Sequence, residues 1–240
     1  MMLTGKTYWL IGASEGLGLA LAASLQAEGA RLILSARSAD KLQAATQRLP
    51  GSRAVVMDVT DAASVQAGVV AAGPVDGMVY CVGAYDPMGA TAWQPGRAEA
   101  MAEANYLGAL RVLSHLVPDF VARRAGHLVL IGSLAGFRGL PAAIGYGSSK
   151  AALMHLAENL RIDLRGSGVR VQLANPGFIA TRLTAKNQFR MPQLMTPERA
   201  AGHVMRLIRS KRFAISFPVP FAWLFALGRL LPLRWFQALF

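Results

Sequence analysis

Residues 7–18, TYWLIGASEGLG, join an apolar run directly to three glycines, Gly12, Gly16 and Gly18. The alanine- and leucine-rich stretch LALAASLQA follows at residues 19–27. This order predicts a strand, a tight turn and a helix. Glycines permit the turn and a close backbone approach to a pyrophosphate, and the helix N-terminus offers free N–H groups to phosphates. The stretch therefore predicts a dinucleotide-binding turn.

The rest of the chain continues the alternation of strands and helices. Short apolar runs predict strands at 7–12, 31–36, 54–58, 77–82, 127–133, 169–175 and 212–217. Between them, helices are predicted at 16–28, 38–48, 61–72, 97–122, 148–165 and 197–210. This alternation is typical of a parallel sheet with helices on both faces. The predicted fold class is α/β: one Rossmann-type, doubly wound sheet in a catalytic domain 1–217, with 218–240 as its apolar extension.

Composition narrows the function classes. With 240 residues, 53% of them hydrophobic, the chain is long enough for one sizeable core. The single cysteine, Cys81, excludes an internal disulfide framework and a cysteine-based zinc site, and the four histidines show no metal-ligand spacing. We expect no cleavable signal before the glycine turn, because its apolar run continues directly into the glycines without a small-residue cleavage site. We therefore expect no metal, and a reducing, cytoplasmic compartment.

The residues after the second strand indicate which dinucleotide is bound. An acid there would bond a ribose 2′-hydroxyl, whereas an arginine accommodates a 2′-phosphate. This chain has Ser35-Ala36-Arg37, so NADP(H) is the expected cofactor and NAD(H) the alternative. Glu15 in the glycine turn argues the other way, because it could lie near the same phosphate. Asp58, after the third strand, either accepts from the adenine amino group or caps the next turn.

Tyr146 and Lys150 stand four residues apart in GYGSSKAAL (145–153), on one face of a helix. Carbonyl reduction needs a group that donates a proton near neutral pH, and a free phenol has a pKa of about 10. An ammonium roughly 4–5 Å away would lower that pKa by about 2–3 units at an effective dielectric of 20. Ser133 ends the fifth strand, where its hydroxyl could bond a substrate oxygen.

Together these motifs resemble the short-chain dehydrogenase/reductase family over nearly the whole chain. The resemblance implies sheet order 3-2-1-4-5-6-7 and hydride transfer between a nicotinamide and a carbonyl or alcohol. It also implies that Asn105 holds a water linking Lys150 to solvent, and that Lys150 holds the nicotinamide ribose. The catalytic candidates are Ser133, Tyr146, Lys150 and Asn105, and the cofactor-binding candidates are Gly12, Ser14, Gly16, Leu17, Gly18, Arg37, Asp58, Val59, Gly83, Tyr146, Lys150, Pro176, Gly177 and Thr181.

One segment departs from the family pattern. After the fourth strand the family usually carries Asn-Asn-Ala-Gly, whereas this chain has Tyr80-Cys81-Val82-Gly83. Gly83 keeps the backbone space beside the cofactor. The missing asparagines remove side-chain hydrogen bonds around the central sheet, so we expect other residues to replace them.

Two apolar segments follow the sixth strand. Residues 178–196, FIATRLTAKNQFRMPQLMT, fall where the family has its substrate loop, and their aromatic and methionine side chains suggest a lid for a lipophilic substrate. The alternative is a loop folded onto the core. The longest uncharged run near the C-terminus, Phe213 to Gly228, is too short and too proline-interrupted to span a bilayer. Residues 218–240 suit a membrane interface, an oligomer contact or a cover for the substrate pocket.

The charge of the chain is concentrated in its last quarter. Residues 181–240 contain ten Lys and Arg and a single acid, Glu198. The basic residues Arg206, Arg209, Lys211 and Arg212 precede the tail and could meet anionic lipid headgroups. Nucleic-acid binding is not expected, because no recognition motif accompanies these charges.

The predicted function is interconversion of a hydrophobic ketone and a secondary alcohol by hydride transfer, with Tyr146 as general acid and base. The alternatives are a 3-oxoacyl-carrier reductase, whose acidic carrier would meet the basic region, and a non-catalytic dinucleotide-binding, membrane-associated protein. We expect a small lipophilic substrate, a homo-oligomer, and peripheral contact of residues 218–240 with an anionic membrane on its inner, cytoplasmic face.

Overall fold

The computed structural model describes residues 3–187 and 189–239. Gln188 of the predicted substrate loop, Phe240 of the tail, Met1 and Met2 lie outside the described residues. Within the described chain, seven parallel strands form one sheet in the order β3-β2-β1-β4-β5-β6-β7. The predicted fold class and strand order are confirmed. The strands β1 to β7 span Thr7–Ile11, Arg31–Ala36, Arg53–Val56, Gly77–Tyr80, Gly126–Ile131, Val169–Pro176 and Ala214–Phe217.

Helices cover both faces of this sheet because the strands alternate apolar side chains between the faces. On β1, Leu10 joins the core beneath α1, α2 and α7, while Ile11 joins the core beneath α3, α5 and α6. The helices α1 to α9 span Gly16–Ala27, Ala39–Arg48, Ala62–Ala72, Arg97–Ala102, Gly108–Ala122, Ile144–Asp163, Pro197–Arg209, Phe221–Gly228 and Leu233–Gln237.

The helix predicted at 97–122 is interrupted. A π-helical turn, Glu103–Leu107, separates α4 from α5. The hydroxyl of Tyr80, at the end of β4, donates to the carbonyl of Ala104 in this turn at 2.6 Å. Gly108 leaves the space for that hydroxyl, because a Cβ there would lie 2.6 Å from it. Tyr80 stands where the family has an asparagine, so this bond is one of the expected replacements.

The direction of β7 separates the basic cluster from the apolar tail. All neighbouring strands are parallel, so Lys211 and Arg212 lie at the amino edge of the sheet and the tail leaves from the carboxyl edge. A strand rises about 3.3 Å per residue, which puts Arg212 roughly 20 Å from Pro218. Arg209 is paired with Glu28 on α1. The cluster that was expected to meet anionic headgroups together with the tail therefore lies at the opposite edge of the sheet from it.

Candidate active site

The glycine turn lies at the carboxyl edge of β1 and has no room for side chains. Gly12 has φ +85°, and a Cβ there would lie 2.8 Å from the backbone nitrogen of Val82. A Cβ at Gly18 would collide with the carbonyl oxygen of Gly12. Within the described chain no side chain caps the first turn of α1. Its N–H groups and dipole are therefore available to an anion beside Ser14 and Leu17.

The loop after β6 closes over the same turn. A Cβ at Gly16 would lie 3.0 Å from the Cγ2 methyl of Thr181. Pro176 is the last residue of β6, and Gly177 follows it against Leu134. A bare backbone cradle with Thr181 above it fits the pyrophosphate of a dinucleotide, so the residues present fit the cofactor that the sequence predicts.

Gly83, after β4, lies beside this loop. A Cβ at Gly83 would lie 3.1 Å from Cδ2 of Leu183. The chain that follows β4 and the chain that follows β6 therefore approach each other closely above the carboxyl edge. This places Gly83 with the other cofactor-binding candidates rather than apart from them.

The adenosine end of the cradle carries Arg37 and Asp58. The Asp58 carboxylate accepts from the backbone N–H of Thr60 at 2.9 Å and from its hydroxyl at 2.8 Å. The bond from the Thr60 backbone, opposed by burial and supported by the nearby Arg37 charge, lowers the pKa of Asp58. Asp58 thus caps the turn that follows it, which is the second of the two alternatives predicted for this residue. Its neighbour Val59 is buried.

Glu15 is neutralised by two cations. Its carboxylate pairs with Lys41 on α2 at 3.0 Å and with Arg182 in the substrate loop at 2.8 Å. Burial acts to raise the pKa of Glu15, but these two partners together lower it. A paired carboxylate repels a nearby phosphate less than a free one, so the expected conflict between Glu15 and NADP(H) is weakened.

Ser133, Tyr146 and Lys150 meet at the carboxyl edge of β5. Ser133 follows that strand, and its hydroxyl accepts from the N–H of Ala135 at 3.1 Å. Tyr146 lies in the first turn of α6 and hydrogen-bonds Ser133 through its side chain. Lys150 lies one turn later, with its Nζ 6.0 Å from the centre of the Tyr146 ring. The predicted grouping is present.

Lys150 is buried and bonded to the backbone. Its Nζ donates to the carbonyl of Ile131 at 2.9 Å and to that of Val82 at 3.2 Å. Burial lowers the pKa of Lys150 to about 8, although a weaker interaction with Cys81 opposes this. The ammonium is therefore held between the ends of β4 and β5, and its lowered pKa lies close to neutral pH.

The Tyr146 pKa differs from the sequence-based expectation. Burial raises it, the hydrogen bond from Ser133 opposes the rise, and the neighbouring Tyr85 adds to it. Lys150 directs the hydrogens of its Nζ to two backbone carbonyls. The expected lowering of the Tyr146 pKa is wrong for this structure, because burial outweighs the hydrogen bond that opposes it.

Asn105 lies in the π-helical turn and is fully buried. Its side chain accepts from the N–H of Ala84 at 2.7 Å and donates to the carbonyl of Ala84 at 2.9 Å. It also donates to the Ser149 hydroxyl at 2.9 Å, which in turn donates to the Tyr146 carbonyl. Among the described residues, no hydrogen bond joins Asn105 to Lys150. Asn105 links the chain after β4 to the first turn of α6.

Two residues of the site have no signal in the sequence. Tyr85 packs the edge of its ring against Tyr146, and its hydroxyl donates to the side chain of Asn187 in the substrate loop. The two residues are 102 positions apart. Tyr85 stands two residues after Gly83, and Asn187 lies in an irregular loop. Neither residue belongs to a recognised sequence motif.

Comparisons with known proteins agree with this geometry. The family profile described as short chain dehydrogenase matches residues 6–191. An uncharacterized oxidoreductase of Myxococcus xanthus is 36% identical over 97% of this chain and 95% of its own length. The ketoacyl reductase HetN of Nostoc is 30% identical over 87% of this chain and 77% of its own length. A solved short chain dehydrogenase of Burkholderia cenocepacia, in complex with NADP, has a TM-score of 0.89 at 23% identity, covering 99% and 98% of the two chains.

The fold and the matched residues define a Rossmann-type oxidoreductase. The chain belongs to the short-chain dehydrogenase/reductase family and is an NAD(P)-dependent enzyme of that family. The predicted family and enzyme class are confirmed.

Proposed function

We propose that this enzyme interconverts a hydrophobic ketone and a secondary alcohol, with Tyr146 as general acid and base and NADP(H) as the preferred cofactor. The observation that carries the proposal is the grouping of Ser133, Tyr146 and buried Lys150 at the carboxyl edge of β5. Ser133 opposes the rise of the Tyr146 pKa, and this favours proton donation to a carbonyl oxygen during reduction.

Each candidate has a task that its position supports. The bound nicotinamide supplies or accepts the hydride at the substrate carbon. Tyr146 gives the proton to the substrate oxygen, and Ser133 donates a hydrogen bond to the same oxygen as charge develops there. Lys150, with a pKa of about 8, is the group that returns a proton to Tyr146. Asn105 acts through Ser149 and Ala84 to hold the first turn of α6 in position.

Backbone at one end of the cradle and cations at the other would hold the cofactor. The turn from Gly12 to Gly18 and the loop at Gly177 and Thr181 would receive the pyrophosphate. Arg37 is exposed at the carboxyl edge of β2, where a ribose 2′-phosphate would lie. The ion pairs of Glu15 leave that region positively charged rather than negative. These features support NADP(H) over NAD(H), and Lys150 would turn from its carbonyls to the nicotinamide ribose.

An aromatic cluster supports a lipophilic substrate. Phe178 of the substrate loop lies 5.8 Å from Phe189 of the same loop and stacks on Phe221 of the tail at 5.7 Å. The Gln193 side chain joins the loop to the tail, donating to the carbonyl of Val219 and accepting from the N–H of Phe221. Loop and tail thus form one apolar wall beside Ser133, which suits an apolar group next to the reacting carbonyl.

Reduction of a carrier-bound 3-oxoacyl chain is the second candidate. The similarity to the Nostoc ketoacyl reductase favours it, since that protein's name states the same reaction type. The exposed cations Lys186 and Arg190 in the substrate loop would meet an acidic carrier. A free ketone needs no such partner, so the two candidates differ in the substrate that they require.

The test is a screen of NADPH oxidation over free ketones of graded chain length, repeated with NADH and with a carrier-bound 3-oxoacyl substrate. Tyr146→Phe should abolish turnover and leave NADPH binding intact, since it loses only the transferable proton. More than about a tenth of wild-type turnover in Tyr146→Phe would overturn the assignment, because general acid catalysis supplies about 10²–10⁴-fold. Turnover with the carrier-bound substrate alone would favour the second candidate.

We place the enzyme in the cytoplasm as a homo-oligomer, in which residues 218–240 can contact the inner face of an anionic membrane peripherally. The absence of acids from residues 199–240 supports that contact. Among the described residues, no helix combines the length and hydropathy needed to cross a bilayer.

A further inference from the structure

The tail, residues 218–239, is apolar on the side that packs against the enzyme. Helices α8 and α9 bury Ala222, Phe225 and Phe236. These side chains form a small core with Leu134, which directly follows Ser133, and with other residues of the chain after β5, Phe137 and Leu140. The inner side of the tail therefore supports the part of the site that carries Ser133.

The opposite side of the tail is apolar as well. Several of its large side chains stand out in solvent, among them Trp223, Leu227, Leu230 and Trp235, with exposed fractions of 59%, 62%, 82% and 56%. A surface helix of a globular protein usually presents polar residues outward. Large contiguous apolar surface marks a place of contact with a membrane or another protein. We call these four residues the outer face.

The outer face is held in a fixed shape. The guanidinium of Arg138, in the chain after β5, donates to the carbonyls of Gly228, Arg229 and Leu231 at 3.2, 2.6 and 2.9 Å. These carbonyls end α8 and form the turn into α9. Arg138 thus fixes the two helices relative to each other, so the outer face exists before any partner arrives.

The charged residues of the described tail have one sign. They are Arg229, which lies over the Phe137 ring at 5.6 Å, and Arg234 on α9. Exposed Arg190 follows Phe189 in the substrate loop, whose aromatic cluster reaches the tail at Phe221. An anionic bilayer attracts such cations near its surface. A second copy of the chain fits this face less well. In a two-fold contact the tail arginines of the two copies would approach each other, and the tail contains no side-chain carboxylate that could pair with them.

We infer that the outer face docks on an anionic lipid bilayer, inserting Trp223, Leu227, Leu230 and Trp235 between the headgroups. Tryptophan with leucine and sparse arginines is the composition of segments that lie in a membrane interface. The docked face lies at the carboxyl edge of the sheet, the edge that carries Ser133 and Tyr146. This inference deepens the proposed function, because it gives the lipophilic substrate a bilayer source, but the docking itself requires no turnover.

The test is co-sedimentation of the full chain with vesicles of phosphatidylcholine alone and of phosphatidylcholine mixed with phosphatidylglycerol. The variant Trp223→Ser/Leu227→Ser removes two exposed side chains and should weaken binding by about tenfold for each, since burial of a large apolar side chain contributes on that order. The matched control is Val70→Ser/Ile162→Ser, two equally exposed apolar residues on α3 and α6. The control should bind like the wild type.

Two further measurements complete the test. Arg234→Gln should reduce the preference for phosphatidylglycerol and leave binding to phosphatidylcholine unchanged. Sedimentation velocity without lipid should give one subunit count for the wild type and for Trp223→Ser/Leu227→Ser. Failure of the wild type to bind mixed vesicles, equal loss in the control, or a changed subunit count in the tail variant would each overturn the inference. Vesicle binding without ketone reduction would leave docking standing and reject the proposed reaction.

Discussion

The edge of the Tyr85 ring meets the ring of Tyr146, with the centroids 5.0 Å apart and the planes at 80°. The Tyr85 hydroxyl donates to Oδ1 of Asn187 at 2.7 Å, and Nζ of Lys186 donates to the Tyr85 carbonyl at 2.9 Å. Tyr85 therefore touches the candidate proton donor on one side and the substrate loop on the other.

Tyr85→Phe should raise KM for the substrate by about two- to tenfold and leave kcat nearly unchanged. The variant keeps the ring against Tyr146 but loses one hydrogen bond to the loop, which is worth on the order of 0.5–1.5 kcal/mol. Asn187→Ala removes the other partner and should have the same effect. Steady-state kinetics of both variants and of the double variant provides the measurement. Additive losses in the double variant would show that the two residues act separately.

The stability of the enzyme should depend on pH through Lys150. A free lysine holds its proton up to about pH 10.5, whereas Lys150 releases it near pH 8. Between these values the unfolded chain binds more protons than the folded one, so stability rises with pH, and below pH 8 the full cost of the buried charge is present. Relative to Lys150→Met, the wild type should gain up to about 3 kcal/mol across this interval.

Urea unfolding of both proteins below pH 8 and near pH 10.5 measures this difference. Lys211→Met, at an exposed position, controls for the simple loss of a lysine. A constant gap between wild type and Lys150→Met at all pH values would mean that Lys150 is not desolvated in the folded enzyme.

Cofactor choice should follow Arg37. Replacing Ala36 by Asp and Arg37 by Ala puts a carboxylate where a 2′-phosphate would lie and removes the cation. We expect the ratio of the NADPH to the NADH dissociation constant to rise by about ten- to a hundredfold, as for a lost charge-assisted hydrogen bond. Titration of cofactor fluorescence with both proteins gives this ratio. If the wild type already prefers NADH, the Arg37 interpretation fails and Glu15 was the better indicator.

Loss of the Arg138 side chain should loosen the tail. Arg138→Ala removes three hydrogen bonds from the turn between α8 and α9, and we expect faster tryptic cleavage after Arg229 and Arg234. Ketone reduction should fall as well, because Phe225 and Phe236 then pack less firmly behind Ser133. Arg48→Ala, an exposed arginine on α2, is the control. Equal cleavage rates in the two variants would show that Arg138 does not hold the tail.

Much of the fold could be predicted because burial on both faces leaves a continuous apolar run. In β4, GMVY, every residue is buried, and the sequence shows only apolar and aromatic residues after its glycine. The strand ends were less accurate. The strand predicted to reach residue 133 ends at Ile131, because the chain turns there toward the site.

The helix that carries Tyr146 was predicted to begin at residue 148 but begins at Ile144. Gly145 and Gly147 have a low helix propensity, so the sequence around Tyr146 does not favour a helix. In the structure they provide close packing: a Cβ at Gly145 would lie 2.8 Å from Cα of Ala98, and one at Gly147 would lie 3.1 Å from the carbonyl oxygen of Ala135. Local propensity cannot show such contacts, because they depend on tertiary approach.

Some features of the candidate site follow from the local sequence, whereas others depend on tertiary contacts. Tyr146 and Lys150 are four residues apart on one helix, so their grouping follows from the local sequence. The Lys150 contacts with Val82 and Ile131 and the Tyr85 contact with Asn187 join distant parts of the chain. The pKa of Tyr146 depends on burial more than on its nearest cation, and burial is a property of the folded chain.

The small core that joins Phe236 to Leu134 and Phe137 has a consequence for how the protein is made. Phe236 lies about 100 residues after Phe137. At roughly 5–20 residues per second, the apolar side chains beside Ser133 remain uncovered on the ribosome for about 5–20 s. The nascent chain is thus expected to expose this apolar surface until Phe236 has been synthesised, and a chaperone that shields it during that interval should increase the yield of folded enzyme.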